Sequence, residues 1–423
     1  MGPIKTTSQA DTVIVGAGAA GLMAAIWAGR TNPAKRIVLL DGAKKLGAKI
    51  LVAGGGRCNV THHEVDPERY AGSSRSAIAK VLRRFDVPET TAFFSELGVE
   101  LKREETGKLF PTTDRARDVL YALLNATRRA GVEIQHPQRV KEVGKTFSGF
   151  FVSGAWGRIE CERLVLATGG KSLPKSGSDG KGFEFVRALG HSVTRTFPSL
   201  VPLTLPQDHA ICGLSGITLP ATLQLHTHTG KHVIAFTNST LCTHFGLSGP
   251  SVLDISRYYL DLKESDHGAY LTINWLPDVT GHLLDHKLQE LGHASVRKFL
   301  RQLLPDRMVD MLLSVSGVDT ETMGDQLPKE KRKELVRVTT AMPLGVTGDR
   351  GYKYAEVTAG GVPLKELDLK HMESRQTSGL YLCGEICDVD GPIGGLNFQW
   401  AWSSGYVAGM SVGASFEAER QSV

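Results

Sequence analysis

The sequence predicts an α/β fold in two lobes, a largely parallel sheet flanked by helices and interrupted by an inserted β-rich unit. Three observations predict it. Near the amino terminus a β-branched run ends in a glycine turn and passes straight into an alanine-rich helix. A second apolar run breaks at glycines just before residue 170, and a strand, loop and helix follow one another after residue 379. The length of 423 residues agrees with two lobes, because one hydrophobic core stops growing at roughly 250 to 300 residues.

Composition excludes several classes. Apolar residues make up 41% and charged residues 22% of the chain, without blocks of like charge, which fits a globular protein and neither a disordered chain nor a coiled coil. Forty-nine Lys and Arg against 44 Asp and Glu leave +5, too mild and too scattered to indicate nucleic acid. No apolar run approaches the ~18 residues of a membrane span, and the amino terminus lacks an apolar signal core. The six cysteines form no C-x-x-C pair, so neither a zinc ribbon nor a dithiol centre is expected, and a reducing, cytoplasmic setting is. Met1-Gly2 with Thr6 matches a loose myristoylation pattern that Pro3 makes a coincidence.

In chain order, the strand at residues 12–15 ends in G-A-G-A-A-G, and a helix follows over residues 22–29. Gly16 permits the turn, Gly18 lets the backbone approach a pyrophosphate and Gly21 lets the helix pack on the strand, while Ala19 and Ala20 lie where free N–H groups face the phosphates. A second strand at 37–40 ends in Asp41, 20 residues beyond Gly21, where a carboxylate accepts ribose hydroxyls. This unit predicts a dinucleotide and leaves FAD or NAD open. Residues 51–61, L-V-A-G-G-G-R-C-N-V-T, are too glycine-rich for an element interior. A loop there would bring amides such as that of Gly56, the charge of Arg57 and the amide of Asn59 against an extended cofactor, with Cys58 packing beside it. L-V-L-A-T-G-G at 164–170 is a buried strand whose carboxyl end carries Ala167, Thr168 and Gly169 to the edge where open α/β sheets bind ligands. A strand at 380–383 stops at Gly384-Glu385. An acidic Gly/Pro loop then reaches Gly395, and a helix opens at Asn397, with Ala401, Gly405 and Ala408 allowing close packing. Its amino terminus, with the N–H groups of Leu396 and Asn397, is a counter-dipole for the N1 and C2 edge of a reduced flavin. The two ends of the chain are therefore expected to clasp one non-covalent FAD.

These residues resemble the BaiN-like NAD(P)/FAD-dependent oxidoreductases, a family named for a 3-dehydro-bile acid reductase and also called aminoacetone oxidase-like. The matches are V-G-A-G-A-A-G at 15–21, G-G-G-R-C-N-V-T at 54–61, G-K-L-F-P at 107–111, A-T-G-G at 167–170 and P-S-L-V-P-L at 198–203. They continue with T-H-F-G-L-S-G-P at 243–250, T-A-G-G-V at 358–362 and G-E-I-C-D-V-D-G-P-I-G-G-L-N-F-Q-W-A from residue 384. The resemblance implies a glutathione-reductase type-two FAD-binding Rossmann-like domain with an inserted β-barrel-like domain and a small helical domain. Lys49 and Val140 complete the expected cofactor-binding set. Leu396 stands where the family usually has an aromatic, which is expected to open an apolar recess beside the ring, and Asp41 stands where Glu is more frequent.

The expected organisation is a first part of the FAD-binding domain at 1–196, an insert at 197–344 with a helical part near 280–340, and a second part at 345–423. Short alternating segments at 201–237 and 268–275 read as antiparallel strands. Apolar spacing predicts one helix over 281–304, stopped by Pro305, and another over 329–340. No second G-x-G-x-x-G follows a strand, so NAD(P)H is expected only as a transient co-substrate. The G-S-D-G-K-G run at 177–182 reads as a loop leading into a helix at 183–189. The pair His282 and His286 lacks a third metal ligand, His62-His63-Glu64 reads as a solvated loop, and Ser248 lacks a nucleophile elbow. The expected activity is hydride transfer through flavin N5 to a double bond conjugated to a carbonyl of a small-molecule substrate, with no nucleic-acid or membrane partner. An amine or aminoketone oxidase making hydrogen peroxide is the alternative, and a flavin-bearing RNA-associated or redox-sensing protein a third. His244, Tyr352 and Tyr354 are the candidates for proton donor, because they flank motifs at the insert boundaries.

Overall fold

The computed structural model describes residues 7–414, so the Met1-Gly2 pattern lies outside the described residues. The chain divides into two compact units: residues 1–198 with 356–423, and residues 199–355. The second crossing falls about ten residues later than residue 345. The reason is strand pairing: Met342–Leu344 pairs with Tyr270–Asn274 and Gly348–Asp349 with Leu203–Thr204, which ties this stretch to the inserted unit.

In the first unit β1 (Thr7–Val15) leads into α1 (Ala19–Thr31), and β2 (Ile37–Leu40) lies parallel to β1 on one side. The strand Gly157–Leu166 lies parallel on the other side, followed by Leu380–Leu382, and Glu133–Gln135 lies outside β2. Ile37–Leu40 and Leu380–Leu382 are apolar and buried throughout, and β1 and Gly157–Leu166 become so over their last three residues, at the carboxyl edge. The helix Leu396–Gly413 packs along α1. A side chain at Gly405, Gly409 or Gly413 would strike Ala20, Ala24 or Thr31 at 2.5 Å, so a small residue every fourth position sets this approach. The parallel order brings the ends of β1, of 157–166 and of 380–382 to one edge. Gly16 N–H bonds to Leu40 at 2.8 Å and Ala167 N–H to Val15 at 2.9 Å.

Two local expectations change. Residues 48–52 are helical, and the glycine loop begins only at Ala53, where the backbone turns extended and Gly54 and Gly55 become left-handed. The expected loop from Leu51 thus starts two residues later, because the helix holds until Ala53 turns extended and Gly54 and Gly55 take positive φ.

The second unit carries a seven-stranded antiparallel sheet with Thr218–His226, His232–Thr243 and Tyr270–Asn274 at its centre, and the helix Pro250–Ser265 packs on it. Helices over Gly281–Gln289, Val296–Arg301, Asp306–Ser316 and Lys329–Thr340 follow. The single helix read over 281–304 is therefore two. Gly292 takes φ +51°, and Ser295 starts the next helix by accepting the Lys298 N–H at 3.3 Å. Among the described residues no helix is long and apolar enough to cross a membrane.

Candidate functional site

The site lies at the carboxyl edge of the parallel strands, within the first unit. Gly16 has φ +107°, and a Cβ there would sit 2.4 Å from the Ala167 carbonyl. At Gly21 a Cβ would fall 1.7 Å from the Gly16 carbonyl. Both glycines are demanded by the fold. Gly18 is different: its φ of −81° suits any residue, and a Cβ would meet nothing within 4 Å. The open space lies at the amino end of α1, where Ala19 and Ala20 begin the helix and first-turn N–H groups have no helical acceptor.

Asp41 is already engaged. Its two carboxylate oxygens accept the N–H groups of Ala17 and Ala43, each at 2.7 Å, which locks the glycine turn to the end of β2. A carboxylate has roughly four acceptor sites, so capacity for ribose hydroxyls remains. Its carbonyl accepts the Gln138 N–H at 2.7 Å, and this places the segment bearing buried Val140 beside the acid.

Lys49 and Glu385, far apart in sequence, form a half-buried ion pair at 2.5 Å. Ser172 Oγ donates to the other Glu385 oxygen at 2.8 Å, and the Thr358 N–H donates to it at 3.0 Å. Gly170 is needed here, since a Cβ would lie 2.5 Å from Thr358 Oγ1 and 2.8 Å from Glu385 Oε1. Gly384, at φ +78°, starts this turn, while Gly169 at +71° does the same for the A-T-G-G break.

In the glycine-rich loop Gly54, Gly55, Gly56 and Cys58 all take positive φ, while Arg57 between them stays at −94°. Cys58 is fully buried and burial pushes its thiol up to about 12, so it packs and stays protonated. Arg57 does not offer free charge as expected. Its guanidinium stacks 4.0 Å over Phe110 and pairs with Glu104 at 2.6 Å and Asp114 at 3.6 Å, all brought in from a neighbouring hairpin.

The carboxy-terminal helix also corrects an expectation. Leu396 is fully buried, its carbonyl accepts the Tyr70 hydroxyl at 2.8 Å, and the Leu396 Cβ lies close against Gly391. The side chain belongs to the core and lines no recess. Asn397 uses its side-chain amide to hold Gly391 in both directions, at 2.9 and 2.8 Å, so its side chain clamps the loop. Gly395, at φ +99°, precedes the helix, and the first-turn N–H groups of Leu396 and Asn397 have no helical acceptor.

The three proton-donor candidates lie in the second unit: His244 and Tyr354 are exposed and Tyr352 is half-buried. A carboxyl that sequence reasoning missed stands in the first unit instead. Glu356 is open to solvent at its surface, yet enough protein crowds it to hold its carboxyl above the ordinary range, with Lys108 opposing the shift. Its carbonyl accepts from Ser172 at 3.2 Å, which joins it to the Glu385 network. No local pattern in the sequence marks it.

FAD fits this donor set. The space at Gly18 suits a pyrophosphate. Asn59 Oδ1 and Thr168 Oγ1 are buried without a hydrogen-bond partner, a cost that a polar ligand would relieve. Among the described residues no group of three His, Cys, Asp or Glu could hold a metal.

The family model of the HI0933-like protein Rossmann domain matches residues 10–411. The ribosomal RNA dihydrouridine synthase of Escherichia coli is 35% identical over 402 residues, covering 94% of this chain and 96% of that protein. The 3-dehydro-bile acid delta(4,6)-reductase of Clostridium scindens is 32% identical over 401 residues, covering 94% and 97%. A 3-ketosteroid-delta4-(5alpha)-dehydrogenase structure from Rhodococcus jostii aligns with TM-score 0.48 at 13% identity, over 96% of this chain and 97% of that one.

Proposed function

Since the chain belongs to the HI0933-like Rossmann family, a family of FAD-dependent oxidoreductases, we propose that it adds a hydride and a proton across a carbon–carbon double bond conjugated to a carbonyl. One observation carries the choice of reaction. The two relatives act on substrates as unlike as a ribosomal uridine and a 3-oxo bile acid, and both names describe saturation of a double bond conjugated to a carbonyl. The reaction is common to them, so it is the part that transfers.

Bound FAD would supply hydride acceptance and donation at N5, with NAD(P)H as a transient reductant that leaves as NAD(P)+. The chain's residues do the rest. The open turn at Gly18 and the first amides of α1 hold the pyrophosphate, with Asp41 beside the ribose. The N–H groups of Leu396 and Asn397 offer positive dipole to a developing anion. Glu356, whose carboxyl is pushed above the ordinary carboxylate range by the protein around it, is the candidate to deliver the proton to the carbon beside the carbonyl.

Anaerobic stopped-flow absorbance with NADH, NADPH and a panel of small amines tests the reading. Bleaching by a nicotinamide, followed by reoxidation with an enone, is expected. Bleaching by an amine alone, with stoichiometric peroxide on admitting air, would overturn it in favour of the oxidase. A small-molecule enone remains the first reading for the substrate. RNA-borne uridine is the second, favoured by the ribosomal RNA relatives, so the expected exclusion of nucleic acid is held open.

A further inference from the structure

Within the second unit the Arg350 guanidinium is held between two aromatic rings, 4.1 Å from the centroid of Phe245 and 4.0 Å from that of Tyr354. Lys353 lies 5.3 Å from the Tyr354 ring, and His244 stands edge-on to Phe245 at 5.2 Å. Most arginines and lysines with a defined contact elsewhere in the chain meet a carboxylate. Among the described residues neither Arg350 nor Lys353 has a carboxylate within salt-bridge distance.

The cluster is rigidly mounted. Arg350 N–H donates to Pro202 at 3.1 Å, the Phe245 carbonyl accepts from Leu205 at 3.0 Å, and the strand Leu203–Thr204 pairs on both sides between them. A turn at Gly351, with φ +69° and its N–H bound to Asp349 at 2.6 Å, presents Tyr354 with 43% of its surface exposed. The two cations, Lys353 first and Arg350 second, hold the Tyr354 phenol below its ordinary range.

We propose that Phe245, Arg350, Lys353 and Tyr354 form a nucleotide-binding platform, on which a base stacks against the exposed Tyr354 ring and a phosphate meets the Arg350 and Lys353 cations. Stacking needs a π-face held in place, and phosphate needs unneutralised cations; both are present within one rigid corner. Two sources supply this chemistry: the nicotinamide dinucleotide and single-stranded RNA. The platform lies wholly in the second unit, so nucleotide binding there and flavin loading in the first unit fail independently.

The test uses the full-length FAD-loaded protein with two probes, NADPH read by its fluorescence and a labelled single-stranded octauridylate read by anisotropy. Tyr354→Leu, Arg350→Gln and Lys353→Gln should weaken one probe by roughly tenfold or more, with flavin occupancy and thermal transition unchanged. Lys333→Gln, on an exposed helix face of the same unit, should not. A loss confined to NADPH assigns the platform to the reductant. A loss confined to RNA, with a salt slope lowered by about 0.7 per lost phosphate contact, assigns it to the substrate. Should one platform variant fail to fold, the others carry the test. The proposal is overturned if the parent binds neither probe, if the folded variants bind both like the parent, or if Lys333→Gln weakens binding equally.

Discussion

Replacing Gly18 by Val separates what the fold requires from what the ligand requires. Its φ of −81° is open to any residue and no atom lies within 4 Å of the added Cβ, so the flavin-free protein should accept valine. Restricting the unfolded chain favours the variant by about 0.4 to 1 kcal/mol, and losing a glycine N-cap costs a few tenths to about 1 kcal/mol. Stability should therefore change by less than about 1 kcal/mol. The effect on FAD is far larger, because the valine methyls fill the space at the start of α1. If two charge-assisted N–H contacts to phosphate are lost, at about 1.5 to 3 kcal/mol each, affinity falls by on the order of a hundred to ten thousand-fold. The ratio of flavin to protein absorbance after reconstitution reads the loss, and calorimetry of the flavin-free form reads the stability. Gly21→Val is the contrast, since its Cβ would lie 1.7 Å from a carbonyl oxygen and the variant should not fold. Full flavin occupancy in Gly18→Val would refute the placement of the pyrophosphate, and collapse of the flavin-free variant would show that Gly18 serves the backbone.

Three further outcomes follow from named groups. Glu356 has a raised carboxyl, so its proton is held at pH values where ordinary carboxyls have lost theirs and is released as pH climbs through the raised value; turnover should fall on that alkaline side, and Glu356→Gln should retain FAD, turn over slowly and lose that limb. An unchanged pH profile in the variant would remove Glu356 as proton source. Leu396→Tyr overfills a closed position and should cost about 1 to 3 kcal/mol in denaturant unfolding without altering substrate preference; altered preference at unchanged stability would place the residue at the ligand after all. The Cys58 thiol, pushed up to about 12 and fully buried, should resist iodoacetamide at pH 8 in the native protein, and rapid alkylation in a peptide map would contradict its burial.

The backbone of the site was legible in the sequence, whereas most of its side-chain roles were not. The strand at 12–15, the glycine turn and the helix at 22–29 follow from nearest neighbours and lie inside the longer Thr7–Val15 and Ala19–Thr31, so G-A-G-A-A-G and A-T-G-G could be assigned to one sheet edge. Arg57 was misread because its partners, Glu104, Asp114 and Phe110, are set by a hairpin some fifty residues on, and a charged loop residue looks the same with or without them. Leu396 was misread for a related reason. Position after a glycine pair says where the backbone goes, while the direction of the side chain depends on Tyr70 and Gly391. Glu356 carries no signal of its own, since its raised carboxyl comes from surrounding protein.

One physical rule links the cofactor edge and the platform of the second unit. A costly feature that the fold explains says nothing about ligands, and one that the fold leaves unexplained does. Gly16 is explained by φ, and Gly21, Gly405, Gly409 and Gly413 by atoms that a Cβ would strike, whereas Gly18 has neither reason. The buried, unpartnered Asn59 Oδ1 and Thr168 Oγ1 stand in the same position, as desolvated polar atoms with no return inside the protein. Arg57 is explained by two carboxylates and a ring. Among the described residues Arg350 and Lys353 meet rings and no carboxylate, so their charge is open to a bound anion. Gly18 in the first unit and Arg350 with Lys353 in the second thus share one property, open space or charge that the fold itself does not use, and each has the chemistry to meet a nucleotide phosphate.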